Sequence, residues 1–205
     1  MVDRSSLRLV ATTDNLRDGI DGLTARAAAA CRGGATMVHL RLPDEEPRTV
    51  VAAARALVAA LRVPVIVHGR ADVALVGGAA GVHLGVRDIG SGEVRQLIGD
   101  DFIVGRSIGS ESGDGVVSVG GADYVTVGPV FPAVQRHPDS ALGLDGFRRI
   151  AGSVQVPVVA IGGISSTTAA DVLRAGAAGV ALISGIFGAA DPEAAARALR
   201  AAIET

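Results

Sequence analysis

Val156–Ser184 reads VPVVAIGGISSTTAADVLRAGAAGVALIS, and its punctuation decides the fold. Val156–Ile161 is a short apolar run, rich in β-branched residues and ended by Gly162-Gly163, as suits a strand buried on both faces of a parallel sheet. Ser165 and Ser166 are usable as N-caps, Ala169, Val172 and Leu173 follow at helical spacing, and Gly176 stops the helix. Gly179–Ile183 is then the next strand. A glycine pair after one strand and Ser184-Gly185 after the next put exposed N–H groups at one sheet edge, where a phosphate is attracted. The plainer reading of the glycine pair is that it only turns the chain.

Outward from this unit the same alternation recurs. Strands are expected at Leu7–Thr12, Met37–Leu40, Val63–Val67, Gly81–Leu84, Phe102–Gly105 and Tyr124–Val127. The helices between them are expected at Leu23–Cys31, Arg48–Leu61, Ala71–Val76, Gly92–Ile98 and Gly146–Ala151, with a poor helical segment at Asp114–Val119 and a closing helix at Pro192–Ile203 capped by Asp191. About eight βα units in one chain of this length describe a small closed (β/α)8 barrel of the TIM type, a single domain over residues 1–205. The competing open, doubly wound sheet lacks its marker, a G-x-G-x-x-G after the first strand. Pro129–Gly143, PVFPAVQRHPDSALG, is the longest break, and loops of that length are usually functional or mobile.

Composition narrows the chemistry. Hydrophobic residues make up 49% of the chain, enough for a sizeable core, but aromatics only 2%, which argues against a site built on stacked rings. A formal charge of −2, without basic clusters, gives no footprint for nucleic acid. The single Cys31 excludes an internal disulfide and suits a reducing compartment, and no apolar run is long enough for a membrane span, so a cytoplasmic protein is expected. The alanine-rich helices could pack against a second copy or form the barrel's own outer ring.

A barrel places its active groups at the carboxyl ends of the strands. Arg41 and Arg70 lie two positions past His39 and His68, on the same strand faces, where they could bind an anion or pair with Asp44, Glu45 or Asp72. His39, His68 and His83 close three successive strands and could converge, as a general acid–base site or, with Asp88, as a metal site; a single catalytic histidine is the better reading. Asp14 and Asp88 are strand-end carboxylates suited either to Mg²⁺ or to helix capping. Arg136 and His137 in the long loop could close over a ligand or stay solvated.

Gly81-Val-His-Leu-Gly85 with Asp88, Ala122-Asp-Tyr-Val125, Gly128-Pro-Val-Phe-Pro132, Val159-Ala-Ile-Gly-Gly-Ile164, and Ala175-Gly-Ala177 with Ile183-Ser184 together resemble the thiamine phosphate synthase/TenI family over nearly the whole chain. The resemblance implies one of two chemistries. A synthase joins hydroxymethylpyrimidine diphosphate to a thiazole phosphate with Mg²⁺ and releases diphosphate; a TenI-type protein aromatises a thiazole phosphate by proton transfer and needs no cofactor. For the synthase it implies Arg41, Asp88, Ser107 and Arg136 as diphosphate or metal contacts, and Gly163, Ile183 and Ser184, beside Gly162, as the thiazole phosphate site.

Three strand ends depart from the synthase pattern. The usual Q-x-R-x-K is His39-Leu-Arg41-Leu-Pro43, the usual Asn-Asp-Arg is His68-Gly-Arg70, and the usual T-x-T-K is Ala133-Val-Gln-Arg136. Several strand ends are nearer the TenI branch, although two histidines of that branch are replaced by Gly109 and Pro129. The leading expectation is therefore a TenI-like isomerase of a thiazole phosphate or related heteroaromatic phosphate, with His39 or His68 moving the proton beside Arg41, and Arg70 and Ser107 holding substrate. The alternatives are a thiamine phosphate synthase with an eroded diphosphate end, in which Asp88 holds Mg²⁺, and a non-catalytic barrel that binds a phosphorylated ligand.

Overall fold

The computed structural model describes residues 2–109, 119–132 and 141–204. Its strands are β1 (Leu9–Thr12), β2 (Met37–Leu40), β3 (Val65–His68), β4 (Gly81–Leu84), β5 (Ile103–Gly109), β6 (Tyr124–Gly128), β7 (Val158–Ile161) and β8 (Gly179–Leu182). All neighbours are parallel and β8 pairs back onto β1, so the sheet closes into a barrel. The helices are α1 (Gly19–Arg32), α2 (Pro47–Ala60), α3 (Ala71–Gly77), α4 (Ser91–Ile98), α5 (Gly143–Ser153), α6 (Ala169–Arg174), α7 (Ser184–Phe187) and α8 (Pro192–Glu204). Together these are the (β/α)8 architecture expected from the alternation.

Strand alternation divides the core in two. Leu9, Ala11, Val38, Leu40, Val65 and Val67 point outward into the layer under the helices, where Leu23, Leu57 and Phe147 are fully buried. Burying each such side chain contributes about 1.5–3 kcal/mol. Val10, Met37, Ile66, Tyr124, Val159 and Ala181 point into the barrel. Residues two positions further along each strand therefore face the same interior one layer nearer the carboxyl ends, and there the sequence turns polar: Thr12, His39, His68 and Thr126.

Local chemistry sets several boundaries. Pro47 opens α2, and Asp191 caps α8 by accepting from the Ala194 N–H at 3.0 Å. Ser165 and Ser166 are not the caps of α6. Residues 165–168 instead make a turn of their own, in which the Ser165 N–H donates to Thr168 Oγ1 at 3.0 Å, and the helix starts only at Ala169. Strand β5 runs four residues further than the sequence suggested, to Gly109, and the short α7 was not foreseen. The expected segment at Asp114–Val119 falls almost wholly outside the described residues. Cys31 is partly buried against the outer core, and desolvation pushes its thiol up to about 11. Among the described residues no helix is long and apolar enough to cross a membrane.

Candidate active site

The three strand-end histidines do converge. His68 Nε2 lies 3.2 Å from His39 Nδ1, His39 Nε2 lies 2.8 Å from the Tyr124 hydroxyl, and that hydroxyl lies 3.1 Å from His83 Nδ1. His83 Nε2 continues the chain to Ser107 Oγ at 2.9 Å and Thr126 Oγ1 at 3.2 Å. Gly105 makes the arrangement sterically feasible: a Cβ there would sit 2.4 Å from His83 Nδ1 and 2.4 Å from the Tyr124 ring. No spacing rule in the sequence marks Tyr124 or Thr126 as members, because both read as ordinary strand residues.

Burial keeps this cluster uncharged. Desolvation first, and then the Arg41 charge, hold His68 down at about 3; desolvation and the neighbouring imidazoles hold His39 and His83 well below the usual histidine range. Burial likewise raises the Tyr124 phenol well above its usual value. His39 and His68 bond to each other and His83 joins them through Tyr124 rather than opening toward a common ion, and among the described residues no group of three or more His, Cys, Asp or Glu is arranged to hold a metal. Thr12 Oγ1, on the same inner face, is buried without a partner among the described residues, a state that a ligand or ordered water relieves.

At the rim, the two arginines differ. Arg70 folds back onto its own helix, its Nε and Nη2 at 2.8 and 2.6 Å from the Asp72 carboxylate, as the plainer reading allowed. Arg41 is half-buried, its backbone N–H fixed to Thr13 Oγ1 at 2.8 Å, and among the described residues no carboxylate pairs with it. An unpaired, partly desolvated guanidinium beside neutral histidines is a strong anion ligand. Of the two carboxylates, Asp14 is engaged by Arg17 and Arg26. Asp88 accepts from the Gly85 N–H through Oδ2 at 2.6 Å, and the same oxygen comes within 3.4 Å of where a Gly69 Cβ would be, so the carboxylate spans the β3 and β4 loops. Arg106 braces this loop from outside by donating to the carbonyls of Val86, Asp88 and Ile89. Arg136 and His137 lie outside the described residues.

Gly162 and Gly163 adopt φ of 95° and 65°, which favour glycine. A Cβ on Gly162 would come within 2.6 Å of Pro129, and one on Gly163 within 2.7 Å of the Phe131 and Pro132 carbonyl oxygens. The pair therefore lets the β7 loop dock against residues 129–132, where Phe131 N–H also donates to the Gly162 carbonyl at 3.1 Å. In the adjacent loop, Ser184 and Gly185 begin α7, so their N–H groups have no intrahelical acceptors. Replacing Gly163 by alanine is expected to raise KM for a phosphate substrate at this edge at least tenfold with a smaller loss of kcat; steady-state kinetics beside a melting curve separate that from unfolding.

A family model described as thiamine monophosphate synthase matches residues 9–186. The chain belongs to the thiamine monophosphate synthase family. A thiamine-phosphate synthase from Roseiflexus sp. (strain RS-1) is 44% identical over 196 residues, covering 93% of this chain and 83% of the relative. One from Xanthobacter autotrophicus is 41% identical over 201 residues, covering 96% and 95%. The solved thiamine phosphate pyrophosphorylase of Pyrococcus furiosus superposes with a TM-score of 0.85 at 34% identity, over 98% and 97% of the two chains.

These relatives overturn the TenI-like isomerase as the leading expectation: the names carried at 37–44% identity are those of the synthase. The site gives a physical reason for the misreading. His39 and His68 resemble general bases in sequence, yet His39 has both ring nitrogens engaged inside the barrel and His68 is held neutral with low proton affinity. The protein is thus an enzyme of this family, with transferase relatives.

Proposed function

We propose that the chain is a thiamine-phosphate synthase, joining hydroxymethylpyrimidine diphosphate to a thiazole phosphate. Synthase relatives that align over nearly its full length carry this reading, and the site chemistry agrees with it. The reaction balances without a catalytic base. The bond from the pyrimidine methylene to the diphosphate oxygen breaks, diphosphate leaves, and the thiazole nitrogen forms a bond to that methylene. A cluster of neutral imidazoles therefore suits the reaction, because no proton needs to be abstracted.

Arg41, which no described carboxylate pairs, binds the diphosphate at the mouth, and Ser107 on β5 adds a hydroxyl contact. The β7–β8 edge, with Gly163, Ile183 and Ser184, holds the thiazole phosphate through backbone N–H groups. Arg70 is available to a ligand only by leaving Asp72, and so has a secondary place. The donor set fits Mg²⁺ in its sparest form: among the described strand-end residues Asp88 would offer the ion a carboxylate oxygen, leaving the rest of its shell to substrate diphosphate and water. When bound, the ion neutralises charge developing on the leaving diphosphate.

Calorimetric titration tests the assignment. Thiazole phosphate is expected to bind by itself, hydroxymethylpyrimidine diphosphate only with Mg²⁺, and Mg²⁺ without diphosphate not measurably. Absence of diphosphate binding with Mg²⁺ present would overturn the reading.

A further inference from the structure

The hydrogen-bonded chain through the barrel has three closed members and two open ends. His39, Tyr124 and His83 are 1%, 0% and 1% exposed, whereas His68 and Ser107 are partly accessible at the carboxyl mouth. Each neutral imidazole has one N–H and one acceptor nitrogen, and Tyr124 has one O–H to give. The contacts from His68 through His39, Tyr124 and His83 to Ser107 can then be satisfied together in only two ways.

In the first, Ser107 donates to His83, His83 Nδ1–H to Tyr124, Tyr124 to His39 and His39 Nδ1–H to His68. All three histidines then carry the proton on Nδ1. In the second every bond is reversed and all three carry it on Nε2. A mixed state has both imidazoles donating to the Tyr124 oxygen, which leaves its own proton buried and unpaired, or both turning bare nitrogens to its single proton, which leaves one of them unpaired; either cost disfavours it.

We propose that this chain of five side chains holds its protons in one of two uniform orders, so that His68 and Ser107 face the mouth as a donor–acceptor pair in opposite phase, selecting a neutral heteroaromatic ring that presents a donor beside an acceptor. In the first order His68 Nδ1–H donates outward while Ser107, its proton committed to His83, accepts. In the second the two exchange parts. Thr126 Oγ1, 3.2 Å from Ser107 Oγ, can give Ser107 a proton in the first order or take one in the second. An aminopyrimidine edge, with an amino N–H next to a ring nitrogen, matches such a pair; choosing that ring rests on the synthase reading above. His39, Tyr124 and His83 are positioning residues, since they reach the ligand only through the two ends.

Nitrogen NMR of the protein with ¹⁵N-labelled histidine rings at pH 7.5 reads the tautomers directly, with His137 assigned by His137→Gln. Without ligand, His39, His68 and His83 are expected to share the same tautomer populations, and hydroxymethylpyrimidine lacking its diphosphate is expected to shift all three together toward one form. Unlike tautomers at His39 and His83 in the free protein would overturn the proposal. Tyr124→Phe is expected to uncouple His39 from His83, so that without ligand their tautomer populations differ, and populations still alike in the free variant would also overturn it. If Tyr124→Phe does not fold, the double variant Ser107→Ala with Thr126→Val serves, since it removes both hydroxyls that reach His83 Nε2: a changed tautomer population at His68, four links away, supports the ordering, and an unchanged one refutes it. Failure of the ring to bind, with the three tautomers still alike, counts against the synthase reading and the ring selected, while supporting the proton ordering.

Discussion

Replacing Asp88 by asparagine is expected to lower kcat about 10³-fold at fixed Mg²⁺ while leaving the protein folded. Asp14, the other strand-end carboxylate considered for the ion, faces Arg17 and Arg26 at 3.9 and 3.8 Å. Where the family pattern has a further carboxylate beside Asp88, this chain has His68-Gly69, and His68 is uncharged at neutral pH. Among the described strand-end residues, the negative charge available to a diphosphate-bound cation therefore rests on Asp88. Asparagine keeps the shape, and its Oδ1 can still accept from the Gly85 N–H as the carboxylate does at 2.6 Å. Arg106 holds the loop through backbone carbonyls that the substitution does not touch. Turnover measured across Mg²⁺ concentrations, beside a melting curve, checks both halves of the expectation. Activity within tenfold of the unsubstituted enzyme would mean that Arg41 handles the leaving group without a carboxylate-held ion.

Acidification from pH 7.5 to 5.5 is expected to remove about 4 kcal/mol of stability, a large share of the 5–15 kcal/mol typical of a folded domain. The three buried histidines have folded-state proton affinities well below those of the unfolded chain, where an ordinary histidine titrates near 6.5. Below that pH the unfolded state binds protons that the native barrel refuses, so stability is complete above about 6.5 and falls as the pH drops toward the folded value, about 3 for His68. Each histidine contributes about 1.4 kcal/mol per pH unit in that window. Urea unfolding at a series of pH values measures the slope, and substituting His68 by asparagine should reduce it by about a third. A flat profile would mean that the native cluster accepts a proton, contrary to its burial between Arg41 and Arg106.

The fold was legible because parallel strands buried on both faces read as continuous apolar runs, and glycines punctuate them. Met37–Leu40 and Gly81–Leu84 fall where the sequence places them. The convergence of His39, His68 and His83 also followed from their common strand-end position once the barrel was assumed. Their chemistry did not follow. Spacing along a strand says which face a histidine takes, but the burial that fixes its charge and the hydrogen-bond partners that engage its ring nitrogens, Tyr124 and Ser107 among them, arise only when strands far apart in sequence come together. Arg41 and Arg70 look equivalent in sequence and separate only in three dimensions, where Asp72 claims one and no described carboxylate claims the other. The glycine pair carried two meanings at once: its positive φ and its fit against Pro129 and Phe131 are needed to turn the chain, and the same turn shapes the edge assigned to phosphate.

The decisive measurement is a product assay with hydroxymethylpyrimidine diphosphate, thiazole phosphate and Mg²⁺, following thiamine phosphate and diphosphate together. A synthase releases the two in equal amounts and stops when either substrate is withheld. Conversion of the thiazole phosphate alone, with the pyrimidine diphosphate left intact, would contradict the synthase assignment.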